Sequence, residues 1–282
     1  MLKKLLKYDM RAIVGVWRLL AIGVLGISVV GALIMRYAIG EFMSGSYTVL
    51  PVLAMLFSML TIIAVISSVG VTEIFVHYRF YKNCFSDEGY LTFTLPAKRR
   101  DILLAKSLNC IIWPTLHTAL IVVCFFIYLL IVPPNATALE HTLAYFTSTL
   151  KLIFGEVGGG WVIVSAIIGI AYTLVTTAFN AALINLCITI GSIIAKKQKL
   201  LASIAIYFVV TGGVFAVIET VLAIVTMLAA EGMALIMFSL PPVAYMIVTN
   251  LFSLLGIVAT AILTLILYFV TLDRIEKRLN LA

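Results

Sequence analysis

The chain has 282 residues, 63% of them hydrophobic and 11% charged, with a formal net charge of +7 and a mean hydropathy of +1.20. Soluble domains carry about a quarter charged residues and under half apolar ones, so this composition excludes an ordinary water-soluble fold. The basic excess does not point to nucleic acid: no Lys/Arg-rich stretch is interleaved with aromatics, and most cations flank apolar runs, where the lipid headgroup layer is the anionic partner they fit.

The expected fold is an all-α integral membrane protein, a single transmembrane domain of six spans preceded by an N-terminal interfacial helix. In residues 1–18, Leu2, Leu5, Leu6, Ile13 and Trp17 alternate with Lys3, Lys4, Lys7, Arg11 and Arg18. That pattern reads as a helix with its apolar side in the acyl boundary, or as an extension of the first span. A bilayer core about 30 Å thick needs roughly 20 apolar residues per helix. The first such stretch runs over 19–37 and the second over 50–71. The first is longer than a signal-peptide core and no A-x-A site follows it, so it is expected to remain attached.

Residues 78–107 form an aromatic and charged segment after span two, too aromatic for a plain solvated loop. Span two can continue as a helix through Phe85, stop at Ser86-Asp87-Glu88-Gly89, and be followed by a short helix from Tyr90 to Thr94. Asp87 and Glu88 suit the positive end of a helix dipole, and Pro96 breaks the backbone before Lys98, Arg99 and Arg100 at headgroup level. A compact projection bearing Tyr90, Leu91 and Phe93 has the character of a docking surface for a soluble partner.

Span three covers 108–132, and the outer loop 133–160 contains an apolar stretch able to form a small helix before Gly158-Gly159-Gly160. Asn135-Ala136-Thr137 matches a glycosylation sequon, a pattern short enough to arise by chance. In span four, 161–186, a polar stripe of Tyr172, Thr173, Thr176, Thr177 and Asn180 recurs at helical spacing and should face protein or a cavity. Ser165/Gly169 and Gly212/Ala216 have the small-xxx-small spacing of close helix packing. Span five, 204–228, carries Glu219 near its middle, where a carboxylate must be protonated, paired or open to water. Residues 231–244, apolar and broken by Pro241-Pro242, are too short for two further spans. They read as an outer turn or as a segment dipping into the outer leaflet, and span six follows at 246–272.

Short cytoplasmic loops retain Lys and Arg, and this arrangement puts 17 of the 19 inside, leaving Arg36 and Lys151 outside, so both termini are expected in the cytoplasm. Cys84, Cys110, Cys124 and Cys187 fall in the cytoplasmic segment or within spans without CxxC spacing, so neither a disulfide nor a metal site is expected. There is no GxxxxGK[ST], so the chain is not itself an ATPase. No HExxH or GxSxG occurs, and His77, His117 and His141 read as helix or interface histidines, which leaves no enzymatic signal.

Glu88-Gly89, followed by an apolar run into Leu95-Pro96-Ala97-Lys98-Arg99-Arg100-Asp101-Ile102-Leu103-Leu104-Ala105-Lys106, resembles the permease subunit of bacterial ABC-2 type transporters. The amphipathic N-terminus, the six spans, the cytoplasmic termini and the broken segment before span six agree with that family. Ala97 departs from it, since relatives often have Val followed by Ser there. The resemblance implies a coupling helix inserting into an ATPase subunit, carried onto Phe85, Ser86, Asp87, Glu88, Gly89, Tyr90, Leu91, Thr92, Phe93 and Thr94. It also implies two copies of that ATPase holding ATP and Mg, with no cofactor in this chain, a second permease copy or a sister permease, and a place in the bacterial plasma membrane. The few charges in the spans suggest an amphipathic or hydrophobic substrate, which the resemblance narrows to an antimicrobial or toxin-like peptide. The intramembrane polarity of Glu219 and the span-four stripe makes them the pathway candidates, with a structural bond to a neighbouring helix as the other reading of Glu219. The alternative is an ATP-independent channel, secondary transporter or membrane assembly factor, with Glu219 as a proton or ion site. The absence of a visible repeat between the two halves weakens its secondary-transporter form.

Overall fold

The computed structural model describes residues 2–45, 48–94, 96–195, 197–216, 220 and 241–278. These are helical almost throughout, and no strand occurs among them. In order they form α1 (Leu2–Met43), α2 (Val49–Phe85), α3 (Asp87–Phe93), α4 (Arg99–Ile131), α5 (Ala136–Ile153), α6 (Gly159–Ile194), α7 (Lys199–Phe208) and α8 (Pro242–Arg278). Wider π-helical turns occupy Phe154–Gly158 and Val209–Phe215.

Five of these helices, α1, α2, α4, α6 and α8, are long and apolar enough to cross a membrane. This is a multi-pass, all-α membrane protein. Apolar side chains such as Leu19, Ile22, Ile74, Phe125 and Leu255 stand exposed along the helices, as acyl-chain solvent permits. The fifth expected span begins as α7 and its π-helical continuation, and most of its remainder, including Glu219, lies outside the described residues.

Several expected boundaries move. Residues 2–18 are not a separate element: α1 runs uninterrupted over 42 residues, about 63 Å. No proline interrupts it, and its glycines stand singly among helix-compatible neighbours. The short helix after α2 begins at Asp87 rather than Tyr90, because Ser86 alone leaves the helical region (φ −103°, ψ −169°). Of the segment 231–244, residues 231–240 lie outside the described residues. The proline pair opens α8 instead of breaking it: the Pro241 carbonyl accepts from Tyr245 N at 3.0 Å, and Pro242 takes the first helical position, where a missing N–H costs nothing.

The chain divides into two compact units, with boundaries inside α2 and α4. One comprises residues 3–76 and 109–152. Here Val24, Val65 and Cys124 form a core between α1, α2 and α4. The buried side of α1 is a seam of small residues, Ala21, Ser28, Gly31, Ala32 and Ala38, which lets the helices approach closely. A Cβ on Gly31 would collide with Thr61 Oγ1 and the Tyr128 hydroxyl.

The other unit comprises residues 1–2, 77–108 and 153–282. In it α6 packs on α7 and α8. Gly191 meets the Ser203 backbone so closely that a Cβ would stand 2.5 Å from its N and Cα. Ser203 Oγ donates to Ile188 O at 3.2 Å and Asn250 Nδ2 donates to Ser165 Oγ at 2.9 Å, so polar groups tie these apolar helices together. Ser165 thus contacts α8 through a hydrogen bond. At Gly169 and Gly212 nothing among the described residues comes within 4 Å of the place a Cβ would take.

Candidate functional site

The segment joining α2 to α4 is built from side chains close together in sequence. Lys82 Nζ and Glu88 Oε1 are 2.8 Å apart, pairing the last turn of α2 with the first turn of α3. With its amide oriented to suit its neighbours, Asn83 donates to Glu88 Oε2 at 2.9 Å and accepts from Lys106 Nζ at 2.9 Å, so the network reaches α4. The same Lys82 hydrogen bond and charge hold the Glu88 carboxyl below its ordinary value of 4.5, and Glu88 in turn raises Lys82 above 10.5. Gly89 N donates to Ser86 O at 2.7 Å, and the absent side chain at 89 lets α3 fold back onto the end of α2.

The ten residues expected to form a docking helix divide by environment. Phe85 is buried at the end of α2, its ring 5.9 Å from that of Phe80. Ser86 Oγ donates to Lys82 O, Thr92 Oγ1 to Glu88 O and Thr94 Oγ1 to Leu91 O, so these hydroxyls finish local turns. Phe93 is half-buried beneath the Arg99 guanidinium, 6.0 Å from ring centroid to Cζ. Arg99 Nη1 also donates to Ile275 O (3.2 Å) and Glu276 O (2.9 Å), which ties α4 to the end of α8. Tyr90 and Leu91, by contrast, are 62% and 68% exposed. The apolar surface offered by α3 is therefore Tyr90 and Leu91, with Phe93 acting as part of its support.

The polar stripe of α6 is on the surface of its unit at Tyr172 and Thr173 and half-buried at Thr176, Thr177 and Asn180. Thr173, Thr176 and Thr177 donate to carbonyls one turn earlier (2.8–2.9 Å), so these hydroxyls are already satisfied within the helix. The α3 residues share one short helix, and the stripe belongs to a different helix, α6. Glu219 is not among the described residues.

Two features escape a reading of the linear text. His117 on α4 is fully buried, with Nε2 2.7 Å from Ser68 Oγ and Nδ1 2.9 Å from Thr72 Oγ1. Ser68 and Thr72 lie one turn apart on α2, and only that i,i+4 hydroxyl pair hinted at the arrangement. Thr61 and Tyr128 also meet at 2.8 Å, eleven positions earlier than Thr72 on α2 and eleven later than His117 on α4. Eleven residues are close to three helical turns, so each polar pair falls on the same helix face. Comparison with known protein families, curated proteins and solved structures gives no match to this chain. Among the described residues, no cluster of three His, Cys, Asp or Glu side chains is arranged to hold a metal ion.

Proposed function

We propose that this chain is the permease subunit of an ATP-driven exporter of the ABC-2 type, with α3 as the helix that couples it to a separate ATPase. The observation carrying this reading is a seven-residue helix, braced by Lys82, Asn83 and Lys106, whose Tyr90 and Leu91 stand 62% and 68% exposed. Exposed aromatic and aliphatic anchors on a rigid mount are what a docking element needs, because their burial against a partner supplies affinity without a large ordering cost.

In this reading six spans lie in the bacterial plasma membrane, with both termini and α3 in the cytoplasm. Two ATPase copies supply ATP hydrolysis, and a second copy of the chain or a sister permease completes the pathway. The substrate is amphipathic or hydrophobic, in keeping with the scarcity of charge in the spans, and an exported peptide fits that class. Glu219 and the stripe from Tyr172 to Asn180 are the residues assigned to the pathway.

The test is co-purification with a P-loop ATPase, sought by affinity capture of the tagged chain from its own membranes. Tyr90→Ala with Leu91→Ala should abolish co-purification while membrane insertion and elution stay as in the wild type. Undiminished binding by the double variant would remove α3 from the interface, and transport by the purified chain without any ATPase would overturn the exporter reading.

A further inference from the structure

We propose that the cavity between α1, α4 and the start of α5 binds one phospholipid, with an acyl chain in the cavity and the phosphate on Arg36 at its rim. The cavity has a volume of about 430 Å³, within the usual range for small-molecule sites. Its wall includes Met35 and Ile39 from α1, Phe125 and Leu129 from α4, and Pro134 and Ala138 leading into α5. Two polar side chains line it, and both are engaged elsewhere: the Tyr128 hydroxyl with Thr61 Oγ1 at 2.8 Å, and Thr142 Oγ1 donating to Ala138 O at 2.8 Å. The rest of the wall is apolar, which suits an alkyl chain better than a polar solute.

Arg36 supplies the other half of the site. Its Nη2 donates to the carbonyl of Pro134, itself a wall residue, at 3.1 Å, and its Nη1 lies 3.4 Å from Ile131 O. These contacts fix the guanidinium at the end of α4, yet they use two of its five N–H groups. No carboxylate forms an ion pair with it among the described residues. An exposed, oriented guanidinium beside an apolar cavity matches a phosphate esterified to hydrocarbon, since the planar fork suits phosphate oxygens and the cavity suits the chain. A free phosphate would use the cation alone and leave the apolar wall without a role.

The test uses the full chain in a neutral maltoside detergent and two photoactivatable probes with identical acyl chains, a phosphatidylglycerol and a diacylglycerol. Phosphatidylglycerol should label the peptides lining the cavity roughly tenfold more than diacylglycerol, the difference expected from a charge-assisted contact. Arg36→Gln should reduce phosphatidylglycerol to the diacylglycerol level, and Arg36→Lys should retain part of the preference. Ala138→Trp on α5 and Ile39→Trp on α1 fill the cavity from different walls, so a folding defect in one leaves the other to report, and labelling by both probes should be lost. Excess inorganic phosphate should leave labelling unchanged. Equal labelling by the two probes, undiminished labelling in the filled-cavity variants, or displacement by inorganic phosphate would each overturn the proposal.

Discussion

Gly89 lies against the backbone carbonyl of Cys84, so close that a Cβ at position 89 would stand 2.7 Å from that oxygen. The neighbour is backbone and has no rotamer with which to yield. Gly89→Ala should therefore push α3 off the end of α2 at a cost of about 1–3 kcal/mol. Faster hydrogen exchange at the α3 amides, with exchange in α6 and α8 unchanged, is the expected signature. Wild-type protection of α3 in the variant would show that the close approach is not needed.

The Lys82–Glu88 pair predicts a pH dependence of α3 docking. The folded carboxyl is the stronger acid, so its contribution is complete above 4.5 and is lost as pH falls through the lowered folded value. Lys82 is raised in the fold, so its contribution is complete below 10.5 and is lost as pH rises through the raised value. Both side chains are about half exposed, so added salt should weaken the effect. Measured by α3 exchange, Glu88→Gln should differ from wild type at neutral pH and converge with it in acid. A difference that persists unchanged after the carboxyl is protonated would exclude the ion pair as its source.

His117 depends on its clamp more than the clamp depends on His117. Ser68 Oγ can donate to Val65 O and Thr72 Oγ1 to Ser68 O at 3.3 Å, so both hydroxyls have carbonyl partners on their own helix. The imidazole has no such local alternative. Ser68→Ala with Thr72→Val should leave it buried without these two partners and cost about 1–3 kcal/mol, whereas His117→Leu should cost less. Thermal unfolding of the purified protein gives the ranking, and the reverse order would contradict it.

Two glycines on α6 make a matched comparison. Gly191→Ala drives a methyl into the Ser203 backbone and should destabilise by about 1–3 kcal/mol. Gly169 has nothing within 4 Å of its potential Cβ among the described residues, so Gly169→Ala should be neutral or gain a few tenths of a kcal/mol in helix propensity. Similar losses at both sites would place a neighbour at Gly169, as contact with a second copy would.

Ser148 is exposed on α5, while the four native cysteines are buried, so Ser148→Cys offers a reporter with low background. The charge distribution predicts that it reacts with an impermeant maleimide in intact cells. Reaction only after lysis would invert the topology.

The membrane class, the helical fold and the approximate position of five long apolar helices were legible because each depends on a local or additive property, hydropathy over a window. The short helix after α2 was legible for the same reason: Lys82, Glu88 and Gly89 act on neighbours within a few positions. The chain text could not say that Phe93 goes under Arg99 while Tyr90 and Leu91 stay exposed, since that follows from where α4 and α8 bring the guanidinium. Nor could it pair His117 with Ser68 and Thr72, or hold Arg36 at the end of α4, because those partners lie 45 to 98 positions apart. Hydropathy selects which segments enter the bilayer, but apolar helices in an apolar solvent have no hydrophobic preference for one rotation over another. Close packing at small residues and a few directional polar contacts fix those rotations, and both exist only once the helices have met.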